Sequence, residues 1–275
     1  MRKTAPTKSI HDLAHALIHT WRQIVKSPGP IDFLQTREFR LCVQKVIDLS
    51  QQMKSGHSLQ ASWLSSPMLG AFMVYYWPIY YQEAHFLIKK NDKALGRVLD
   101  LASGPGPFTL AALENGAKEV FAADANERCL MILSEFVARL GHTLNVRAWN
   151  YPKPFIIEGS FDTIFLGHSL LAECECEPQK AFNIIKEIVK ILAPGGRILI
   201  LENYSSTHKR TLQALFDLIK PREKELRIDP LELIENFKIP LERTQLMIDI
   251  MRSIRKQEMR KDVMLLQLQK NSLSS

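Results

Sequence analysis

From Gly96 onward the chain alternates short apolar runs with helix-patterned stretches, and that alternation restricts the fold more than any other feature. Arg97-Val-Leu-Asp-Leu-Ala102 ends in a Gly/Pro turn, and a helical pattern follows. Glu119-Val-Phe-Ala-Ala-Asp124 comes next, with another helix to Leu140. Then come Leu144 to Trp149, Phe161 to Leu166, a helix from about Gln179 to Leu192, and Arg197 to Glu202. Strands separated by helices of this length must run parallel, joined by crossovers. The pattern predicts a doubly wound α/β domain.

Residues 1–92 read instead as helices, and we divide the chain into a helical N-terminal domain or lid (1–92) and an α/β domain (93–275). Leu13, Leu17, Ile18, Trp21, Ile24 and Val25 recur at three- and four-residue steps. A second pattern runs from about Thr36 to a break at Ser55-Gly56. A third opens at Ser66-Pro67, proline being a normal start at the first helical turn. Its apolar stretch from Pro67 to Tyr81 falls short of the ~20 residues a membrane helix needs, and Pro78 is expected to break it. It reads as a core helix. At the other end, Thr207 to Ile219 looks helical and Pro230 to Phe237 reads as a short helix. Glu242 to Ile250 and Asp262 to Gln269 are candidate strands, with helix competing for both, and as strands they suit an antiparallel pair closing one edge of the sheet.

The 275 residues are 46% hydrophobic and 24% charged, which excludes a disordered or low-complexity chain. Lys and Arg outnumber Asp and Glu by 36 to 29, a net +7 that permits a polyanion partner without requiring one. Four cysteines are too few for a disulfide scaffold. Cys42 and Cys129 fall inside apolar helical patterns as buried thiols. Cys174-Glu-Cys176 has no second pair at zinc spacing, so no metal is expected there. No secretory signal is visible, and the expected location is the cytoplasm, or the mitochondrial matrix in a eukaryote.

The chemistry concentrates in Val98-Leu-Asp-Leu-Ala-Ser-Gly-Pro-Gly-Pro-Phe-Thr109. A strand ends in an acid, and the following turn carries Gly104 and Gly106. Glycines let backbone approach a ligand, and the next helix offers free amides at its start. No Lys follows Gly106, so the turn is not a phosphate-binding loop. A dinucleotide turn needs a third small residue where Thr109 stands, and would not welcome Asp100 beside its phosphates. An acid there suits a ligand with a positive amine. Asp124 ends the next strand, where an acid can accept both hydroxyls of a ribose, or alternatively cap the following helix.

These motifs, in this order, resemble the class I S-adenosylmethionine-dependent methyltransferases from about Gly96 to Glu202. The resemblance implies S-adenosylmethionine as cofactor, with Asp100, Ala102, Ser103, Gly104 and Gly106 shaping the methionine side. It implies Asp124 on the ribose, Ala125 beside the adenine, Asn150 at the adenine edge, and Gly167 in the loop facing the methyl acceptor. Leu192-Ala-Pro-Gly-Gly-Arg197 looks like the family's turn before strand five. Tyr75-Tyr-Trp-Pro78, His168 to Glu173 and Glu202 to Leu215 are also similar to methyltransferase-like proteins of the small ribosomal subunit. That branch has a cysteine cluster that this chain lacks. The implied activity is methyl transfer to rRNA or a small molecule. The alternative is a catalytically silent, cofactor-binding factor in small-subunit assembly.

Three features carry two readings each. The aromatic run from Tyr75 to Tyr81 is either core or, through Tyr76, a lid over the cofactor. His168, just past strand four, is either a general base or a satisfied loop histidine. Lys209, Arg210, Lys220, Arg222, Lys224, Arg227 and the group Arg252, Arg255, Lys256, Arg260 and Lys261 form either a solvated surface or an RNA contact. His11, His15, His19 and His57 read as a polar helix face.

Overall fold

The computed structural model describes residues 9–25, 36–54, 66–91, 93–149, 159–245, 247–248 and 262–272. Its centre is a seven-stranded sheet in the order β3-β2-β1-β4-β5-β7-β6. The strands are β1 (Arg97–Leu101), β2 (Glu119–Asp124), β3 (Asn145–Ala148), β4 (Phe161–Gly167), β5 (Leu192–Asn203), β6 (Ile228–Lys238) and β7 (Asp262–Lys270). From β3 to β5 every pairing is parallel, and β7 runs antiparallel to both β5 and β6.

The two-residue period of the strands sends neighbours to opposite faces. Val98 of β1, Leu199 and Leu201 of β5 and Leu265 of β7 face one core. Leu99, Leu101, Ile198, Ile200 and Leu266 face the other. The first core is closed by α1 (Ile10–Ile24), α2 (Arg37–Lys54), α3 (Ser66–Ala71), α4 (Trp77–Lys90), α5 (Pro107–Glu114) and α6 (Glu127–Arg139). The second is closed by α7 (Leu170–Glu173), α8 (Pro178–Lys190) and α9 (Ser206–Ile219), with α10 (Glu223–Leu226) before β6. The N-terminal helices therefore share their core with the sheet. Ser9 caps α1 by accepting the Asp12 amide, and Leu13, Leu17 and Trp21 are the apolar stripe it buries.

Three sequence expectations need correction. Pro78 does not break its helix. Residues 72–76 form a π-helical segment in which the Trp77 amide reaches back five residues to the Phe72 carbonyl, and the chain stays helical from Ser66 to Lys90. Proline has no amide to donate, and the widened turn just before it accommodates that loss. Second, Pro230 to Phe237 is not a helix but lies in β6. The register against β7 slips at Pro230/Glu232 and at Ile234/Phe237, which breaks the alternation that marks a strand. A proline is tolerated there because β6 is the outermost strand. Third, the described residues of the 242–250 stretch include helical Gln245, Met247 and Ile248 rather than a strand. The antiparallel pair closing the sheet edge exists, made by β6 and β7.

Candidate active site

The strand order reverses at β1. The chain fills β2 and β3 on one side, then returns to place β4 on the other. Ligands of open α/β sheets bind in the crevice that this reversal leaves beyond the carboxyl ends of the strands. Both segments singled out in the sequence end there: the Gly/Pro turn after β1 and Gly167-His168 after β4.

The turn has positive φ at Ala102 (57°), Gly104 (55°) and Gly106 (73°). It is pinned by the Ser103 amide to the Ala123 carbonyl (3.0 Å) and the Gly106 amide to the Ser103 carbonyl (2.9 Å). The two glycines differ in what surrounds them. A side chain at Gly106 would drive into Leu133 of α6, whereas one at Gly104 would meet no protein atom within 4 Å. Gly104 thus turns bare backbone toward open space, the condition a close-lying ligand requires.

Asp124 closes this loop from β2. Its Oδ2 accepts the Gly104 amide at 2.7 Å and its Oδ1 the Asn126 amide at 2.8 Å. Burial pushes this carboxyl up against the pull of those two amides. The capping of α6 falls to Asn126, whose side chain accepts from Arg128 and Cys129. Asp124 is therefore not the helix cap, and an ionised carboxylate keeps acceptor sites beyond the two in use. Ala125 beside it is exposed.

Asp100 is buried at the centre of the sheet, and its Oδ2 accepts both the amide (2.8 Å) and the hydroxyl (2.6 Å) of Thr109. This ties β1 to the first turn of α5. Burial pushes the Asp100 carboxyl up to about 7, opposed by the two Thr109 bonds and reinforced by the charge of Asp124.

Helix α4 lies over the site. The Trp77 indole donates to the Pro105 carbonyl in the glycine turn (3.0 Å), and the Tyr81 hydroxyl donates to Glu114 of α5. Tyr76 is buried within an aromatic group that includes Phe72, Tyr75 and Tyr80. Gly167 ends β4 where a side chain would strike the Phe108 ring. His168 follows with φ +57°. Its Nε2 lies 2.6 Å from Glu83 Oε2, with the two side chains 3% and 0% exposed. The Tyr80 ring stacks on the imidazole at 3.9 Å and 17°.

Residues 98–196 match the protein-family model for the methyltransferase domain. Over that segment the chain is similar to methyltransferase domains. The chain is 30% identical over 128 residues to a ubiquinone/menaquinone biosynthesis C-methyltransferase, UbiE, of Azotobacter vinelandii, covering 44% of this chain and 47% of that protein. It is 35% identical over 106 residues to a demethylmenaquinone methyltransferase of Clavibacter sepedonicus, covering 38% and 40%. The chain thus spans less than half the length of these curated relatives. Among solved structures, a methyltransferase from Clostridium acetobutylicum superimposes with TM-score 0.49 at 13% identity, covering 70% of this chain and 92% of that one. NodS N-methyltransferase of Bradyrhizobium japonicum, in complex with S-adenosylhomocysteine, gives 0.48 at 15%, covering 71% and 88%.

Asp100 lies in β1 and Ala102, Ser103, Gly104 and Gly106 in the turn after it, Asp124 and Ala125 lie at the end of β2, Gly167 and His168 at the end of β4, and Tyr76 stands apart from them in the helical segment before α4. Asn150 lies outside the described residues, as do His57 and the basic group from Arg252 to Lys261. Of the other basic residues, Arg222 stacks on Phe182 and donates to the Leu218 carbonyl. Lys220 lies over Phe216. Cys42, Cys129 and Cys174 are buried free thiols and Cys176 is half-buried. No helix among the described residues is long and apolar enough to cross a membrane.

Glu83 escaped the sequence reading, whereas Trp77 was read within the aromatic run without its bond to Pro105. Glu83 had a legible signal. It stands three and four residues from Tyr80, Ile79 and Leu87, on the apolar stripe of its helix, where a carboxylate needs a buried partner.

Proposed function

We propose that this chain transfers a methyl group from S-adenosylmethionine to an acceptor held near the loop after β4. The observation that carries the reading is the Gly104–Asp124 hydrogen bond, which fixes an open glycine turn and an acid together at the point where the strand order reverses. A sulfonium-bound methyl is electrophilic as delivered, so the protein's task is mainly alignment. Gly104 and Gly106 let the backbone pass close to the cofactor's methionine part, and Asp124 accepts from the ribose. Helix α4, tied to Pro105 by Trp77, walls the crevice.

Two acceptor classes were open from the sequence, RNA and a small molecule. The names of the two curated relatives, a ubiquinone/menaquinone biosynthesis C-methyltransferase and a demethylmenaquinone methyltransferase, support the small molecule. The closed packing of α4 over His168 supports it too, because a polynucleotide would need that helix displaced.

Calorimetric titration with S-adenosylmethionine and S-adenosylhomocysteine tests the proposal on wild type and Asp124→Ala. Micromolar binding by wild type, weakened at least tenfold in the variant, is expected. Wild type that binds neither compound refutes the reading.

A further inference from the structure

Independently of the methyl-transfer reading, we infer that His11 and His15 of α1 form a two-imidazole chelate for a divalent transition-metal ion of the zinc, nickel and copper class. Water completes the coordination, so the ion binds exchangeably.

Helix geometry brings the pair together. Residues four apart stand roughly 6 Å apart along the axis and on nearly the same side of the helix. Ser9 caps α1 by accepting the Asp12 amide at 3.2 Å, and the stripe of Leu13, Leu17 and Trp21 is buried against the core. The opposite face is thereby held toward solvent. His11 and His15 are exposed there, with ring centroids 4.6 Å apart and planes at 61°. Two nitrogens at about 2.1 Å from one tetrahedral ion stand about 3.4 Å from each other. Rings already this close reach that spacing by side-chain rotation, without moving the backbone.

The same helix carries a second pair at this spacing, His15 and His19, and the surroundings tell the two pairs apart. His19 Nδ1 lies 3.4 Å from the Arg139 guanidinium, which also reaches Gln23 and Glu135. A metal ion on His19 would face that positive charge. Beside His11 and His15 stands Asp12 instead, one residue from the first and three from the second, its Oδ2 accepting the Ser9 hydroxyl at 2.7 Å. Its charge offsets the positive end of the helix dipole, which opposes a cation in the first turns. Neither ring is held by a hydrogen bond or ion pair among the described residues; their contact is with each other. The lone pair of each neutral imidazole is therefore left for a ligand.

The donor set selects the ion. Imidazole nitrogen suits zinc, copper and nickel, whereas Mg²⁺ and Ca²⁺ take oxygen ligands. Among the described residues no third His, Cys, Asp or Glu joins the pair in a metal-holding group. A closed four-ligand structural site does not form there, and the open kind that keeps water does. Binding acts on the helix as well. An ion bridging positions 11 and 15 staples the first turns of α1, and the unfolded chain does not hold the two rings at chelating distance. The ion therefore stabilises the folded state. Because α1 packs on α6 and on the π-helical segment before α4, that gain reaches the helical layer as a whole.

The test uses the untagged full chain as wild type, His11→Gln, His15→Gln and His19→Gln, all at exposed positions and each first checked by circular dichroism. Calorimetric titration with NiCl2, ZnCl2 and MgCl2 reads binding, and melting with and without NiCl2 reads the stapling. Wild type should bind Ni²⁺ and Zn²⁺ but not Mg²⁺, and should melt at a higher temperature in NiCl2. His11→Gln and His15→Gln should each bind at least about tenfold more weakly and lose that rise, while His19→Gln matches wild type. Trace CuCl2 should broaden the imidazole NMR signals of His11 and His15 before those of the other histidines, which separates this site from any second one. Undiminished binding in His11→Gln or His15→Gln overturns the inference. So does an equal loss in His19→Gln, equal uptake of Mg²⁺, first broadening at another histidine, or wild type that binds no Ni²⁺.

Discussion

Replacing Gly104 and Gly106 one at a time by alanine puts the same methyl group on two sides of one turn. Both positions have positive φ, so each alanine pays about 1–2 kcal/mol for the left-handed backbone. At Gly106 the new carbon also runs into Leu133, whose side chain is fully buried and has little room to retreat. Overpacking of that kind costs about 1–3 kcal/mol more, so Gly106→Ala should lose roughly 2–5 kcal/mol of stability. At Gly104 nothing in the protein resists the methyl, and the stability loss should stop at the backbone contribution. The methyl there stands instead in the space assigned to the cofactor. Urea denaturation followed by fluorescence and calorimetry with S-adenosylhomocysteine read the two effects separately. Gly104→Ala should remain folded and bind at least tenfold more weakly, a loss of about 1.4 kcal/mol or more. The reasoning is refuted if Gly104→Ala binds as wild type does, or if the two variants are equally stable.

Other perturbations reach other parts of the site. The Asp100 carboxyl, raised from 3.8 to about 7, binds a proton in the folded chain at pH values where the unfolded chain has released it. Stability should therefore fall as pH rises from 4 to 7, by up to roughly 4 kcal/mol from this group, and Asp100→Asn should flatten that part of the urea-midpoint profile. Trp77→Phe keeps the ring but strands the buried Pro105 carbonyl, a loss of about 1–3 kcal/mol that should weaken cofactor binding as well as shift the melting temperature. Burial pushes the Cys42 and Cys174 thiols up to about 12 and raises Cys129 and Cys176 as well. A thiol reagent at pH 8 should modify half-buried Cys176 first, read by peptide mass mapping, and the other three only on unfolding.

Local chemistry decides which parts of this molecule were legible in the sequence. The strands β1, β2, β4 and β5 announce themselves because both faces are buried and the runs are nearly continuous in Val, Ile, Leu, Phe and Ala. The glycine turn is legible because its conformation admits few residues at 104 and 106. Strand β6 was hidden because two register slips erase its alternation, and the spacing left behind in Pro-Leu-Glu-Leu-Ile-Glu-Asn-Phe mimics a helix. The π segment before Pro78 was hidden because no residue code marks it. It is the local response of a packed helix to a missing amide. The pairing of Glu83 with His168 was hidden for a different reason, since neither residue carries a motif and only the fold brings together positions 85 apart.

That separation has a consequence for how the chain is made. Synthesis of helix α4 is complete at Lys90, and it bears Trp77, Tyr80 and Tyr81 on surfaces that the finished protein buries. At about 5–20 residues per second, the histidine that pairs with the helix's Glu83 carboxylate is synthesised roughly 4–16 s later. Throughout that interval the helix can pack on α1 and, once made, on α5, while the Glu83 carboxylate waits for its partner. Slow codons between positions 90 and 168 would lower the yield of native protein without changing a single residue of it.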